Sequence, residues 1–249
     1  MEQFNPFSLV GKQILVTGAS SGIGKGIAIA CAKMGATVVI NGRNEAKLLS
    51  TLSEMPGEGH TIAKGDLTDK SCLDEIVGSM PKLDGVVHCA GIGHRKLTKM
   101  VDESDIEKVM SINYKAPVML QTALMSQKKF NKGSSIVFIA SIAYNTPFTG
   151  NAIYSSSKGA IVSYAICLSH ELANRLIRVN CISPAMVWTD LIMNEGDTVE
   201  SLQEDEKTYP LKRYGQPEDI ANLAIYLLSD ASSWMTGNNI RITGGLRVN

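Results

Sequence analysis

The sequence predicts a doubly wound α/β domain, on three observations. Short β-branched runs alternate with helix-period segments along the whole chain. The runs are close to continuously apolar, as in Ile136-Val137-Phe138-Ile139, which suits strands covered on both faces. The first run closes in a glycine turn, Thr17-Gly18-Ala19-Ser20-Ser21-Gly22-Ile23-Gly24, that opens a helix. Strand followed by helix throughout means parallel strands joined by right-handed crossovers.

The elements follow in order. Gln13–Thr17 is the first strand. In residues 22–34 the apolar positions Ile23, Ile27, Ala30, Cys31 and Met34 fall on one helix face. A strand is expected at residues 37–40, a helix from Glu45 to about Glu54, and a strand at residues 60–64. Residues 70–79 form a helix and residues 85–88 a strand. A long helix runs from about residue 104 towards 128. Residues 135–140 are a strand, 153–174 a helix and 178–182 a strand. The helix 217–228 and the strand 239–242 close the chain. Residues 189–210 carry no regular pattern, and so long a connection in a compact fold is more often functional than accidental. No linker or repeat divides residues 1–249, which are read as a single domain.

Composition removes several function classes. The 249 residues are 44% hydrophobic and 19% charged, with a formal net charge of zero. That balance predicts no steering towards nucleic acid or an anionic membrane. The longest charge-free stretch, residues 133–157, is broken by Pro147, Gly150 and many hydroxyl side chains, so it is not a membrane span. The cysteines Cys31, Cys72, Cys89, Cys167 and Cys181 have no metal-ligand spacing. They read as thiols of a reducing, cytoplasmic compartment, with no metal.

The glycine turn is a phosphate cradle. Backbone N–H groups and the dipole at a helix N-terminus favour a pyrophosphate, and glycines let the backbone approach it. The TGxxxGxG spacing resembles the short-chain dehydrogenase/reductase family, and the resemblance runs from Lys12 to Gly244-Gly245. It implies a Rossmann-type sheet of order 3-2-1-4-5-6-7. It also implies cofactor contacts from Gly18, Ser20, Ser21, Gly22, Ile23 and Gly24, and adenine-side contacts from Asp66 and Leu67. Ala90-Gly91 matches half of the family's Asn-Asn-Ala-Gly motif. His88 and Cys89 stand where the two asparagines would be, and His88 reads as a strand-end histidine satisfied by backbone.

The end of the second strand discriminates between nicotinamide cofactors. An NAD enzyme wants a carboxylate there for the ribose hydroxyls. This chain has Asn41-Gly42-Arg43-Asn44. Gly42 offers no carboxylate, and the Arg43 fork suits a 2′-phosphate. The expected cofactor is therefore NADP(H), with Glu45 a first-turn helix residue.

Tyr154 and Lys158 lie at i and i+4, on one face of a long helix starting near Asn151. A neighbouring ammonium favours a phenolate, which makes the pair a tunable acid/base. Ser141 ends the preceding strand, at the sheet edge where such folds bind ligands. By resemblance, Ser141 hydrogen-bonds the substrate oxygen and Tyr154 carries the proton. Lys158 also holds the nicotinamide ribose, and Asn113 supports a water in the relay. Pro184, Val187 and Thr189 match the family's grip on the nicotinamide carboxamide, with Ala185 in place of its glycine.

The connection of about 189–212 is expected to be a lid. Leu191, Ile192 and Met193 suit an apolar or acyl substrate, and the acids from Glu195 to Glu206 a solvated face. The expected reaction moves a hydride between NADP(H) and a carbonyl or secondary alcohol. The nearest-looking branch, the β-ketoacyl-acyl-carrier-protein reductases, makes a β-ketoacyl thioester the leading substrate, and Lys128, Lys129, Lys132, Arg175 and Arg178 a possible carrier dock. The alternatives are a sugar, a steroid-like alcohol or another small carbonyl, or a nucleotide-sensing protein without turnover. The resemblance also implies a homo-oligomer, a tetramer, paired through residues 104–128, 153–174 and 234–249.

Overall fold

The computed structural model describes residues 5–193 and 197–247. One seven-stranded sheet has the order β3-β2-β1-β4-β5-β6-β7, every neighbouring pair parallel. Its strands are β1 Gln13–Thr17, β2 Thr37–Gly42, β3 Thr61–Lys64, β4 Leu83–His88, β5 Phe130–Ile139, β6 Arg178–Pro184 and β7 Asn239–Ile242. The order reverses between β1 and β4, which opens a crevice beyond their carboxyl ends.

The helices are α1 Gly22–Lys33, α2 Glu45–Ser53, α3 Lys70–Ser79, α4 Glu103–Met110, α5 Ala116–Ser126, α6 Ala152–Leu172, α7 Asp190–Met193, α8 Val199–Glu206 and α9 Pro217–Leu228. Alternate strand residues feed two cores. Ile14 and Val16 of β1 pack in the core with α1 and α9, while Leu15 points into the core with α3, α5 and α6. Both sheet faces are covered, which explains the unbroken apolar runs. Gly26 lets α1 lie against α9, since a Cβ there would stand 2.8 Å from a Pro217 side-chain atom.

Three elements differ from the sequence reading. The long helix 104–128 is α4 and α5 joined by a π-turn over Ser111–Lys115. β5 starts at Phe130, because Leu83 and Phe130 pair ahead of a register shift. The connection 189–210 is partly helical: α7 and α8 form there, and the Thr198 side chain caps α8 by accepting from the Ser201 N–H. Glu195, the first acid of the run, lies outside the described residues. No helix among the described residues is long and apolar enough to cross a membrane.

Candidate active site

A cavity of about 840 Å³ opens along the carboxyl edge of the sheet. Its floor is the turn between β1 and α1. Gly18 has a φ of +66°, and a Cβ there would lie 2.8 Å from the Ala90 backbone. A Cβ on Gly24 would lie 2.2 Å from the Gly18 carbonyl oxygen. The glycines are thus required by two close backbone approaches. Thr17 ties the same places together: its Oγ1 accepts from the N–H groups of Cys89 and Ala90 at 3.0 and 3.2 Å.

The α1 N-terminus meets the cavity unsatisfied. Its N-cap, Ser21, makes no side-chain cap bond, and no acid occupies the first turn. Four orphan N–H donors and the positive end of the dipole therefore remain for an anion. Ser20, Ser21, Gly22, Ile23 and Gly24 all line the cavity there. This is an open cradle of the kind a dinucleotide pyrophosphate needs.

At the rim beyond β2, Gly42 carries no side chain, and a Cβ there would touch Leu48 and Ser20 at 3.3–3.4 Å. The Arg43 side chain is 67% exposed and stands 3.6 Å from the Asp66 carboxylate. Burial raises the Asp66 pKa, but hydrogen bonds from Thr68 and the Arg43 charge outweigh it and hold the carboxyl below its ordinary range. Glu45 pairs with Lys64 at 2.8 Å and is not among the cavity residues. Leu67, Ala90 and Gly91 continue the wall.

The opposite end gathers Ser141, Tyr154 and Lys158. Ser141 follows β5 in extended backbone, and its Oγ accepts from the Ala143 N–H at 3.2 Å. Lys158, 6% exposed, lies 5.7 Å from the centre of the Tyr154 ring and donates to the Ile139 carbonyl at 3.0 Å. Burial pushes its pKa down to about 8. Pro184, Val187 and Thr189 close the third side. Ala185 is not among the residues of positive φ, so the alanine sits there without strain.

Asn113 is the one predicted residue that stands behind the wall. Its Oδ1 accepts from the Ile92 N–H at 2.8 Å. Its Nδ2 donates to the Ile92 carbonyl at 2.9 Å and to Ser157 Oγ at 3.1 Å, and Ser157 Oγ donates to the Tyr154 carbonyl at 2.7 Å. The π-turn thereby fastens the loop after β4 to the helix of Tyr154. Ser157, not among the residues expected at the site, is fully buried. Its place three residues after Tyr154, on the inner helix face, was the available signal.

His88 also departs from expectation. Its Nε2 meets a side chain, Gln121 Oε1 at 3.2 Å, its Nδ1 is buried with no hydrogen-bond partner among the described residues, and the ring stacks on Phe138. Burial pushes its pKa down to about 4, so it is neutral. The expected basic patch is not one surface. Arg178 is buried and donates to Ser232 and the Ser229 carbonyl. Lys129 and Arg175 donate to backbone carbonyls.

Over the site, Arg95 of the loop after β4 pairs with Asp197 at 2.7 Å, and Lys47 with Asp190 at 3.5 Å. Trp188, Tyr209 and Tyr214 form an aromatic cluster beneath α8. Trp188 donates to Glu206 and Tyr214 to Asp205. Among the described residues no group of His, Cys, Asp and Glu could hold a metal ion.

The low pKa of Lys158 has a consequence for stability. The unfolded chain holds this proton up to its ordinary value of 10.5, the folded chain only to about 8. Between those values the unfolded state binds more protons, so folding stability rises with pH. Urea titrations from pH 8 to 10.5 are expected to show the protein gaining stability relative to Lys158→Met, which has no proton to lose. A constant difference across that window contradicts the assignment.

The comparisons agree with this geometry. The family described as enoyl-(acyl carrier protein) reductase matches residues 18–247. A 3-oxoacyl-[acyl-carrier-protein] reductase of Rickettsia felis is 36% identical over 240 residues, covering 96% of this chain and 98% of its own. A proposed NAD(P)-dependent gluconate 5-dehydrogenase of Beutenbergia cavernae, solved with NADP at low occupancy, superposes with a TM-score of 0.88. It is 30% identical, over 97% of this chain and 98% of its own. A short-chain dehydrogenase/reductase of Serratia marcescens has a TM-score of 0.86 at 28% identity, over 97% and 99%. With a family match over most of its length and its own sheet order and glycine turn in agreement, this chain belongs to the short-chain dehydrogenase/reductase family of oxidoreductases.

Proposed function

We propose that the chain is an NADP(H)-dependent reductase of carbonyl compounds, with a β-ketoacyl thioester as leading substrate. The observation that carries this reading is one cavity with the unsatisfied α1 N-terminus at one end and Ser141, Tyr154 and Lys158 at the other. When bound, the nicotinamide supplies the hydride. Ser141 Oγ hydrogen-bonds the substrate oxygen and orients the carbonyl. Tyr154 gives its hydroxyl proton to that oxygen, or removes it when an alcohol is oxidised. Lys158, a cation next to the ring, stabilises the phenolate and holds the nicotinamide ribose. Asn113 acts through position, holding Ile92 and the Tyr154 helix and supporting the relay. The thioester preference rests on the Rickettsia relative and the family description. A polyhydroxy carbonyl is the second reading, supported by the gluconate 5-dehydrogenase among the similar structures.

NADP(H) is favoured because Arg43 is exposed at the rim, Gly42 brings no carboxylate and Glu45 is engaged by Lys64. Asp66, Leu67, Ala90 and Gly91 take the adenosine side, and Pro184, Val187 and Thr189 the carboxamide. The whole of residues 1–249 works as one cofactor-binding unit in the cytoplasm, with 189–212 as its lid.

The chain assembles as a tetramer in this reading. Ile106 of α4, Met119 of α5 and Ile166 of α6 expose apolar side chains, and Trp234 is 98% exposed. Covering them by a second copy removes that area from water. Light scattering at micromolar concentration is expected to give a multiple of the 26.8 kDa chain mass. A monomer refutes the assembly.

Arg43→Ala is expected to cut the ratio of NADPH to NADH affinity by at least tenfold, measured by fluorescence titration. Equal affinities in the unaltered protein refute the cofactor choice.

Tyr154→Phe is expected to lower turnover by roughly 10²–10⁴-fold, as for lost general acid catalysis, while NADPH still binds. Loss of NADPH absorbance over a carbonyl panel measures it. Near-normal turnover overturns the catalytic assignment.

A further inference from the structure

A cluster of charged side chains joins the loop after β4 to the first turn of α4, and Asp105 is its hub. Asp105 Oδ2 accepts from the Asp102 N–H at 3.1 Å, which completes the capping box of α4, and from Lys96 Nζ at 2.5 Å. Its Oδ1 lies 3.2 Å from His94 Nε2. The bond from Lys96 is the main cause holding the Asp105 carboxyl below its ordinary range. A carboxylate only accepts, so His94 presents an N–H to it. The His94 and Asp105 side chains are 13% and 19% exposed, which shields this contact more than a surface pair. Asp105 itself does not line the cavity.

The loop held in this way runs along the reacting end. Gly91 packs on the Lys158 amine, since a Cβ there would stand 3.4 Å from Nζ. Further along, the Lys96 N–H donates to the Gly150 carbonyl at 2.7 Å, and a Cβ on Gly150 would stand 3.5 Å from Arg95 Cγ. Gly150 immediately precedes Asn151, the N-cap of α6, whose side chain makes no cap bond. Tyr154 lies in the first turn of that helix. N–H groups of a first turn have no partner within their own helix, so the turn is placed by what flanks it. The loop therefore touches Lys158 near its start and steadies the turn of Tyr154 at Lys96. Both stretches are tied to α4: Asn113, just beyond its end, holds Ile92, and Asp105 holds His94 and Lys96.

We propose that Asp105 is a positioning residue: through Lys96 and His94 it holds the loop after β4 so that Tyr154 keeps its place relative to Lys158. This role rests on the reading of Tyr154 and Lys158 as the proton-transferring pair. Misplacing a reacting group by about 1 Å from a distance can cost roughly 10²-fold in rate.

Asp105→Ala removes both acceptor oxygens, while alanine suits a helix and Asp102 still caps it. Asp105→Glu keeps both oxygens, and glutamate suits the third position of a capping box. Turnover is measured per NADPH-binding site, with the sites counted by fluorescence titration. Asp105→Ala is expected to lower kcat by about tenfold or more with KM nearly unchanged, the pattern of an effect confined to the transition state. Asp105→Glu is expected to restore most of the loss. Lys96→Met is expected to lower kcat as well, and to add little to Asp105→Ala, because the two residues act as one unit. A residue needed only for folding lowers the melting temperature and the number of NADPH sites but leaves kcat per site intact, and that result overturns the proposal.

Hydrogen exchange on NADP-loaded protein reads the same tether without turnover. The amides of Lys96, bonded to Gly150, and Ser155, bonded to Asn151, are expected to exchange faster in Asp105→Ala and to regain protection in Asp105→Glu. Unchanged exchange at both amides overturns the proposal, whatever happens to turnover. Faster exchange in a protein that turns over no carbonyl keeps the tether and removes the reading of Tyr154 and Lys158.

Discussion

Gly18 and Ala90 meet backbone to backbone at the point where the sheet changes direction, and no side chain fits between them. That approach sets how closely the first turn sits against the end of β4. Thr17 reinforces it by accepting from Cys89 and Ala90, and Gly24 repeats it one turn along α1. The axis of α1 is fixed as a result, and with it the direction in which the unsatisfied N–H groups point. The loop leaving β4 is anchored from the same place and carries Gly91, Ile92 and His94 across the cavity. The α1 N-terminus and the loop after β4 line one cavity because both hang from this contact.

The second constraint is charge burial. An amine as enclosed as Lys158 is costly to keep ionised, and among the described residues it donates to the carbonyl of Ile139. That enclosure is what pushes its pKa down to about 8. His88, buried at the end of β4, illustrates the other outcome: burial with no charged partner leaves it neutral and structural.

Strands and most helices were legible because their signals are local. A glycine turn after an apolar run, the near-continuous apolar runs themselves and a Tyr-Lys pair at i and i+4 need no knowledge of distant residues. Features set by partners far along the chain were not. His88 was expected to find backbone and found Gln121, 33 residues on. Arg178 was expected at the surface and is drawn under the sheet edge by Ser229 and Ser232. The helices of the 189–210 connection were masked by its acids, although the Thr198 cap and the buried Leu202 are helix signals. The residues of the glycine turn line the cavity together, because their spacing reflects backbone geometry.

The π-turn at Ser111–Lys115 makes α4 and α5 two helices read in different frames. One extra residue enters the turn, so the face counted forward from Val109 does not continue into that of Leu120 and Leu124. Asn113 occupies the slip itself, held by Ile92 and Ser157. Removing one residue from this segment restores an unbroken α-helix and rotates one half against the other by about a quarter of a turn. Either the core stripe or the asparagine must then face the wrong way. The length of this helix is therefore as much a part of the site as the identity of any residue in it, and relatives that align here with a gap would have had to solve the same placement by another route.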